Sequence, residues 1–164
     1  CIEQSWFLSA DTQLYIISPI ILFNIEKKPW KTCLACLGFC VVSAAYAFII
    51  TFNNNYPTFY FEGTSEYQHY LYTPTFVRMP PWLLGMVFGY LIFKYKQISI
   101  PRGANLSLWV FSLSIMIFLI LVQCWLTRSA YNVLIAATYN SLARPAWAIA
   151  FGLIIFSCVT GHGG

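Results

Sequence analysis

Charged residues punctuate this chain, and long apolar stretches lie between the punctuation marks. Two stretches are complete: Thr32 to Phe52 and Leu106 to Leu126 each run 21 residues without a charge. At 1.5 Å per residue each reaches about 31 Å, matching the roughly 30 Å hydrocarbon core of a bilayer. Three others are shorter or less pure: Leu8 to Ile25, Pro80 to Phe93 and Leu142 to Thr160. The middle one spans only with local thinning or by extension into Lys94 and Tyr95. The pattern predicts an all-α, multi-pass transmembrane helix bundle of about five membrane helices.

Composition agrees. Hydrophobic residues make up 59% of the 164 and charged ones 9%, against about 25% charged in soluble domains, so the first partner is the lipid bilayer. Lys27, Lys28 and Lys31 follow the first stretch, and Lys94, Lys96 and Arg102 follow the third. The opposite connections hold Arg78, Arg128 and Arg144, with Glu62 and Glu66 near the first of them. Because cytoplasmic connections carry the basic excess, this bias puts the N-terminal end outside and the C-terminal end in the cytosol. The net charge of +4 reflects that sidedness. No continuous basic stripe exists for nucleic acid. A start at Cys1 and a stop in the Gly161-His162-Gly163-Gly164 cluster read as an internal fragment of one membrane domain, with helices missing at both ends.

Asp11 is the first chemical candidate, because a carboxylate inside a membrane segment costs about 2.5–3.5 kcal/mol and by default faces a protein interior or a cavity. A structural alternative stands beside it: if Ser9 caps the first helix, Asp11 sits in the first turn, where the dipole favours it. Gln13 lies two residues on and points roughly opposite. Pro19 removes a backbone bond from this helix, tolerated where a neighbour satisfies the freed carbonyl. Arg78 stands at the outer end of the third stretch, placed to snorkel or to pair with Asp11. Gly85 and Gly89 form a small-xxx-small pair suited to close helix packing.

The connection from Asn53 to Arg78 is rich in aromatic residues, including Tyr56, Tyr67, Tyr70, Tyr72 and Phe76. It reads as an interfacial belt or as an acceptor-binding surface. Asn132 to Arg144 reads as a short interfacial helix. Cys33, Cys36 and Cys40 share one helical face and read as small packing residues, since neither a second CxxC nor a histidine cluster completes a metal site. Cys1 alone is placed where a disulfide is permitted. His69 and His162 lack a neighbouring nucleophile, and P-loop, Rossmann, HExxH and GxSxG patterns are absent.

Trp6-Phe7-Leu8-x-x-Asp11-x-Gln13-Leu14-Tyr15 followed by Ser18-Pro19 resembles a helix of the acyltransferase type 3 membrane proteins, whose bacterial members usually carry Glu at the position of Asp11. Tyr72-x-Pro74-x-x-x-Arg78 with Trp82-Leu83-x-Gly85-x-x-x-Gly89-Tyr90 is similar to the Arg-led, glycine-spaced helix of the same family. Arg144-Pro145-x-Trp147 and Cys158-x-x-Gly161-x-Gly163-Gly164 resemble the animal "nose resistant to fluoxetine" branch. The resemblance implies that residues 1–164 belong to a single acyltransferase 3-like membrane domain. It implies an enzyme passing an acyl group from acyl-CoA, its co-substrate, to a hydroxyl acceptor at or across the membrane. It implies no metal. The family's histidine and basic residues lie in earlier helices, so the expected base falls outside this chain, and Asp11, Gln13 and Arg78 carry over as catalytic-cavity residues. There, donors such as Arg78 stabilise the oxyanion of acyl transfer. The alternative is a transporter, or a protein handling lipids or hydrophobic compounds, with the same cavity and no transfer chemistry.

The charge bias makes a topological prediction. Asn105-Leu106-Ser107 is the chain's sole glycosylation sequon, and the orientation above places it in the cytosol. Translation into microsomes is expected to leave Asn105 unmodified, and an endoglycosidase-sensitive mass shift lost in Asn105→Gln would invert the topology.

Overall fold

The computed structural model describes residues 5–58, 67–95, 101–128, 130 and 132–162. Among them five long helices follow in order: α1 (Ser5–Lys27), α2 (Pro29–Asn54), α3 (Thr75–Tyr95), α4 (Arg102–Leu126) and α5 (Val133–Ser157). All five are long and apolar enough to cross a membrane. Single π-helical turns, Gln68–Tyr72 and Cys158–His162, precede α3 and extend α5. Cys1, placed where a disulfide is permitted, falls outside the described residues.

Each helix outruns its apolar stretch. α1 already starts at Ser5, so Ser9 does not cap it, and Asp11 lies in the second turn, beyond the reach of the terminal dipole. α3 starts five residues ahead of Pro80, which makes Pro80 and Pro81 interior. α5 starts at Val133 because the Asn132 side chain accepts from the backbone N–H groups of Leu134 (3.0 Å) and Ile135 (3.4 Å). Asn132 to Arg144 is therefore not a separate interfacial helix. From Val133 it is the first half of α5, which continues through Pro145.

The interior prolines decide how the helices join. Each removes the N–H that would bond the carbonyl four residues earlier. Pro19 frees Tyr15, whose oxygen accepts instead from the Ser18 hydroxyl at 2.7 Å. Pro80 frees Phe76, and its carbonyl accepts from Ser43 of α2 at 2.9 Å. Pro81 frees Val77, and its carbonyl accepts from Arg144 of α5 at 3.4 Å. The two adjacent prolines thus tie three helices together through backbone oxygens that one helix alone leaves unsatisfied.

α5 is the hub: it packs against α2, α3 and α4, whereas α1 leans on α2 and α3. Its buried positions are small, Ala136, Ala137, Ser141, Ala150, Gly152 and Ser157. α2 likewise buries Cys36, Cys40, Ser43, Ala47 and Thr51, spaced three and four apart. Such residues let backbones approach where lipid removes the hydrophobic incentive. Cys36 and Cys40 pack with Leu83 and Leu84, as expected of small core residues.

The glycine expectation fails in detail. Gly85 and Gly89 are exposed, and a Cβ added to either meets nothing within 4 Å. The buried face of α3 runs through Val77, Pro80 and Leu84, which turns both glycines to the opposite side at 100° per residue. The close approach occurs at Gly152, where an added Cβ would collide with the Phe88 ring.

The proline account predicts a coupled pair of substitutions. Ser43→Ala orphans the Phe76 carbonyl and is expected to cost about 0.6–1.7 kcal/mol, the range for hydrogen bonds between membrane helices. In a Pro80→Ala background residue 80 regains an N–H for Phe76, so the same substitution should cost measurably less. Denaturant unfolding of the four proteins checks this, and purely additive effects would contradict it.

Candidate functional site

Arg144 lies eleven residues into α5, about 16 Å along the helix and close to its middle. A guanidinium at that depth is costly unless it meets polar surroundings. Here it lines a cavity of about 220 Å³ together with Asn140, Tyr139, Tyr67, Tyr72 and Thr58. Asn140 and Arg144 are four residues apart and so share a helix face. Asn140 is anchored by its amide nitrogen, which donates to the Pro57 carbonyl (3.3 Å) and the Thr51 hydroxyl (3.5 Å). Tyr139 donates its hydroxyl to the Leu119 carbonyl of α4 at 3.2 Å.

The aromatic connection closes the cavity from the other side. Tyr56 and Tyr67 are buried and meet edge to face at 5.8 Å. With Leu71, Ala47 and Val77 they form a core cluster, and Tyr72 packs against it. These rings are cavity wall and core. Tyr70 and His69 are exposed, edge to face with each other. Arg78 stands behind Tyr72: its Nε donates to the Tyr72 carbonyl at 3.0 Å and its guanidinium sits 4.8 Å from the ring centroid. Arg144 lies within electrostatic reach of Arg78, Tyr67 and Tyr72. Burial pushes the Tyr67 phenol above its ordinary value; Arg144 opposes that shift and Tyr72 adds to it.

The three residues singled out from the sequence separate. Gln13 reaches α3 and accepts from the Thr75 hydroxyl at 3.1 Å, one turn before Arg78. Arg78 belongs to the Tyr72 wall. Asp11 is exposed on α1. Ala10 and Leu14 form the buried stripe of this helix, and Asp11 and Gln13 flank it on opposite sides. Arg144, Asn140 and Tyr139 line the cavity and were not among the sequence candidates, whereas Tyr67 comes from the aromatic connection read as a belt or an acceptor-binding surface. The missing clue was the start of α5: once the helix reaches back to Asn132, Asn140 and Arg144 fall on one face.

A second hollow of about 420 Å³ opens between α1, α2 and α3. Ile17, Ile21, Phe39 and Leu83 make it apolar, and Lys28 and Lys31 line it at the α1–α2 junction. The molecule thus pairs a cationic, tyrosine-walled cavity with an apolar groove edged by lysines.

Five apolar helices around such sites define a multi-pass integral membrane protein. Its sequence matches the family described as "Acyltransferase domain" (acyltransferase 3) over residues 1–163, and the chain belongs to that family. It is 23% identical over 186 aligned positions to "Nose resistant to fluoxetine protein 6" of Caenorhabditis elegans, with all of this chain and 22% of that protein covered. The chain spans about a fifth of the length of this curated relative. No solved structure matches it.

The Tyr67 environment predicts an alkaline effect. Below about pH 10 the phenol is neutral folded or unfolded and contributes nothing to the pH dependence. Above that pH the unfolded chain releases a proton that the folded chain keeps, so stability falls as pH rises. Phenolate absorbance is expected to show a late-titrating tyrosine that Tyr67→Phe removes, with a shallower alkaline loss of stability in that variant. An unchanged late phase would assign it elsewhere.

Proposed function

We propose that this chain forms part of a membrane acyltransferase that moves an acyl group from acyl-CoA to a hydroxyl acceptor at or across the bilayer. The observation that carries the reading is Arg144, a guanidinium set mid-helix in a polar cavity, within a chain of the acyltransferase 3 family. The lysine-edged end faces the cytosol in this reading, with the Cys1 end outside. The apolar groove receives the acyl chain, and Lys28 and Lys31 meet the phosphates of the CoA. The cavity of Arg144 and Asn140 holds the acceptor.

Chemically, a base supplied elsewhere in the parent protein takes the acceptor hydroxyl proton, and the oxygen attacks the thioester carbonyl carbon. The resulting oxyanion is stabilised by hydrogen-bond donors such as Arg78. Its collapse breaks the carbon–sulfur bond, and the CoA thiolate recovers a proton. Gln13 holds α1 against the start of α3 beside Arg78. Asp11, on the other flank of α1, orients the base. A second reading, movement of a lipid or hydrophobic compound without transfer, is favoured by the apolar character of the groove.

Asp11→Asn in the intact parent protein keeps the side chain's shape and loses its charge. It is expected to lower acyl transfer about a hundredfold or more without impairing membrane insertion, and Asp11→Glu should restore much of it. Transfer from labelled acyl-CoA by protein recovered from membranes measures this. Near-normal transfer by the Asn variant would remove Asp11 from the mechanism, and no transfer by the unmodified protein would favour the second reading.

A further inference from the structure

A third hollow, of about 320 Å³, lies between α4 and α5 where the first of these helices ends and the second begins. Phe118, Val122 and Trp125 of α4 line it together with Ile135 and Leu142 of α5. Its two hydroxyls are both engaged by backbone carbonyls: Thr138 donates to Leu134 at 2.8 Å and Tyr139 to Leu119 at 3.2 Å. What remains is a hydrocarbon surface. Phe118, Trp125 and Leu142 are each more than half exposed, so in a bilayer the hollow opens sideways onto lipid. Tyr139 and Ala143 line this hollow and the Arg144 cavity alike. A single turn of α5 is therefore the common wall between an apolar space open to the bilayer and a polar one that holds Asn140 and Arg144.

We infer that the acyl acceptor is a membrane-resident amphiphile, a single-chain lipid whose tail lies in the α4–α5 hollow while its hydroxyl-bearing head enters the Arg144 cavity beside Tyr139. This rests on the acyltransferase reading and narrows it: the acceptor arrives laterally from the bilayer and not from water. A lipid tail gains no hydrophobic free energy by leaving the bilayer for a protein surface. The hollow therefore sets the direction of the molecule, and the choice of head falls to the hydrogen-bonding groups of the cavity. The Asn140 amide nitrogen is held by Pro57 and Thr51, which leaves its carbonyl oxygen to accept from the lipid hydroxyl. In the transfer, the acyl carbon bonds to that lipid oxygen and the carbon–sulfur bond to CoA breaks. The hydroxyl proton passes to the base and on to the thiolate. The groove between α1, α2 and α3, lined by other residues, takes the chain of the donor.

Two molecules that share a head and differ in the chain test this: 1-monooleoylglycerol and glycerol. The purified parent protein in phosphatidylcholine nanodiscs is irradiated with a monoacylglycerol carrying a diazirine in its chain, then digested. Adducts are expected on residues 118–125 and 135–143; excess unlabelled monooleoylglycerol should abolish them and excess glycerol should not. Thr138 is exposed on the hollow's wall, so Thr138→Trp fills the space without entering the packed core. It is expected to lower the adduct yield about tenfold or more, the scale of an overpacked contact. Ile120, also exposed, lies on the face of α4 turned away from the hollow, and Ile120→Trp should leave the yield unchanged. Adducts spread over every exposed helix face, as bulk lipid gives, overturn the inference, and so does a yield that Thr138→Trp leaves intact. No adducts in the hollow, as when another helix of the parent protein fills it, overturn it too. Transfer of labelled acyl groups from acyl-CoA is scored separately with both acceptors. Transfer to glycerol as fast as to monooleoylglycerol, or without adducts in the hollow, sinks this inference alone. Adducts in the hollow without transfer to either acceptor sink the acyltransferase reading.

Discussion

Two consecutive prolines in α3 leave the carbonyls of Phe76 and Val77 without their helical donors, and the bundle is organised around supplying them. Inside a bilayer there is no water to fill the gap, so the donors must come from neighbouring helices. α2 offers the Ser43 hydroxyl and α5 offers Arg144. The same interaction fixes where α5 sits against α3 and brings its arginine to the edge of the cavity. Structure and chemistry therefore meet in one side chain: the guanidinium that helps satisfy Val77 has further donors for the cavity.

This arrangement depends on α5 being continuous. Asn132 caps its start, and the helix runs on through Pro145. Were the chain to break before Pro145, Arg144 would stand at a helix end, where it snorkels to water. Continuity instead holds it near the middle of the span, one turn beyond Asn140. Tyr56 and Tyr67 of the aromatic connection are buried, and Tyr67 lines the cavity beside this face. The polar site is the product of three segments distant in sequence.

The number and kind of helices were legible because apolar stretches of bilayer length admit few other readings, and Cys36 and Cys40 pack as their spacing suggests. The family resemblance read from Trp6 to Gly164 agrees with the match over residues 1–163. Two boundaries misled. Pro80, taken as the start of a stretch, sits inside α3, and the reading of Asn132 to Arg144 as a separate interfacial helix cuts α5 in two. That error moved Arg144 into a connection and hid its role. Gly85 and Gly89 misled for a related reason: spacing shows that two residues share a face, not which face is buried. Asp11 and Gln13 were correctly read as pointing apart, and Gln13 alone has a described partner across the bundle.

The small-residue core of α5 inverts the usual logic of mutational tolerance. In a water-soluble core, injury comes mostly from removing bulk and leaving a void. Here Ala136, Ala137 and Ala150 are buried and Gly152 faces the Phe88 ring, so injury comes from adding a methyl group. Large side chains such as Trp30 and Phe93 stand on the outside, and trimming them leaves the helix contacts intact. Size, rather than hydrophobicity, is the currency of selection along this hub helix. A neutral-looking change such as Ala to Val is conservative in chemistry and disruptive in geometry, and it shifts the distance between α5 and α3 on which the position of Arg144 rests.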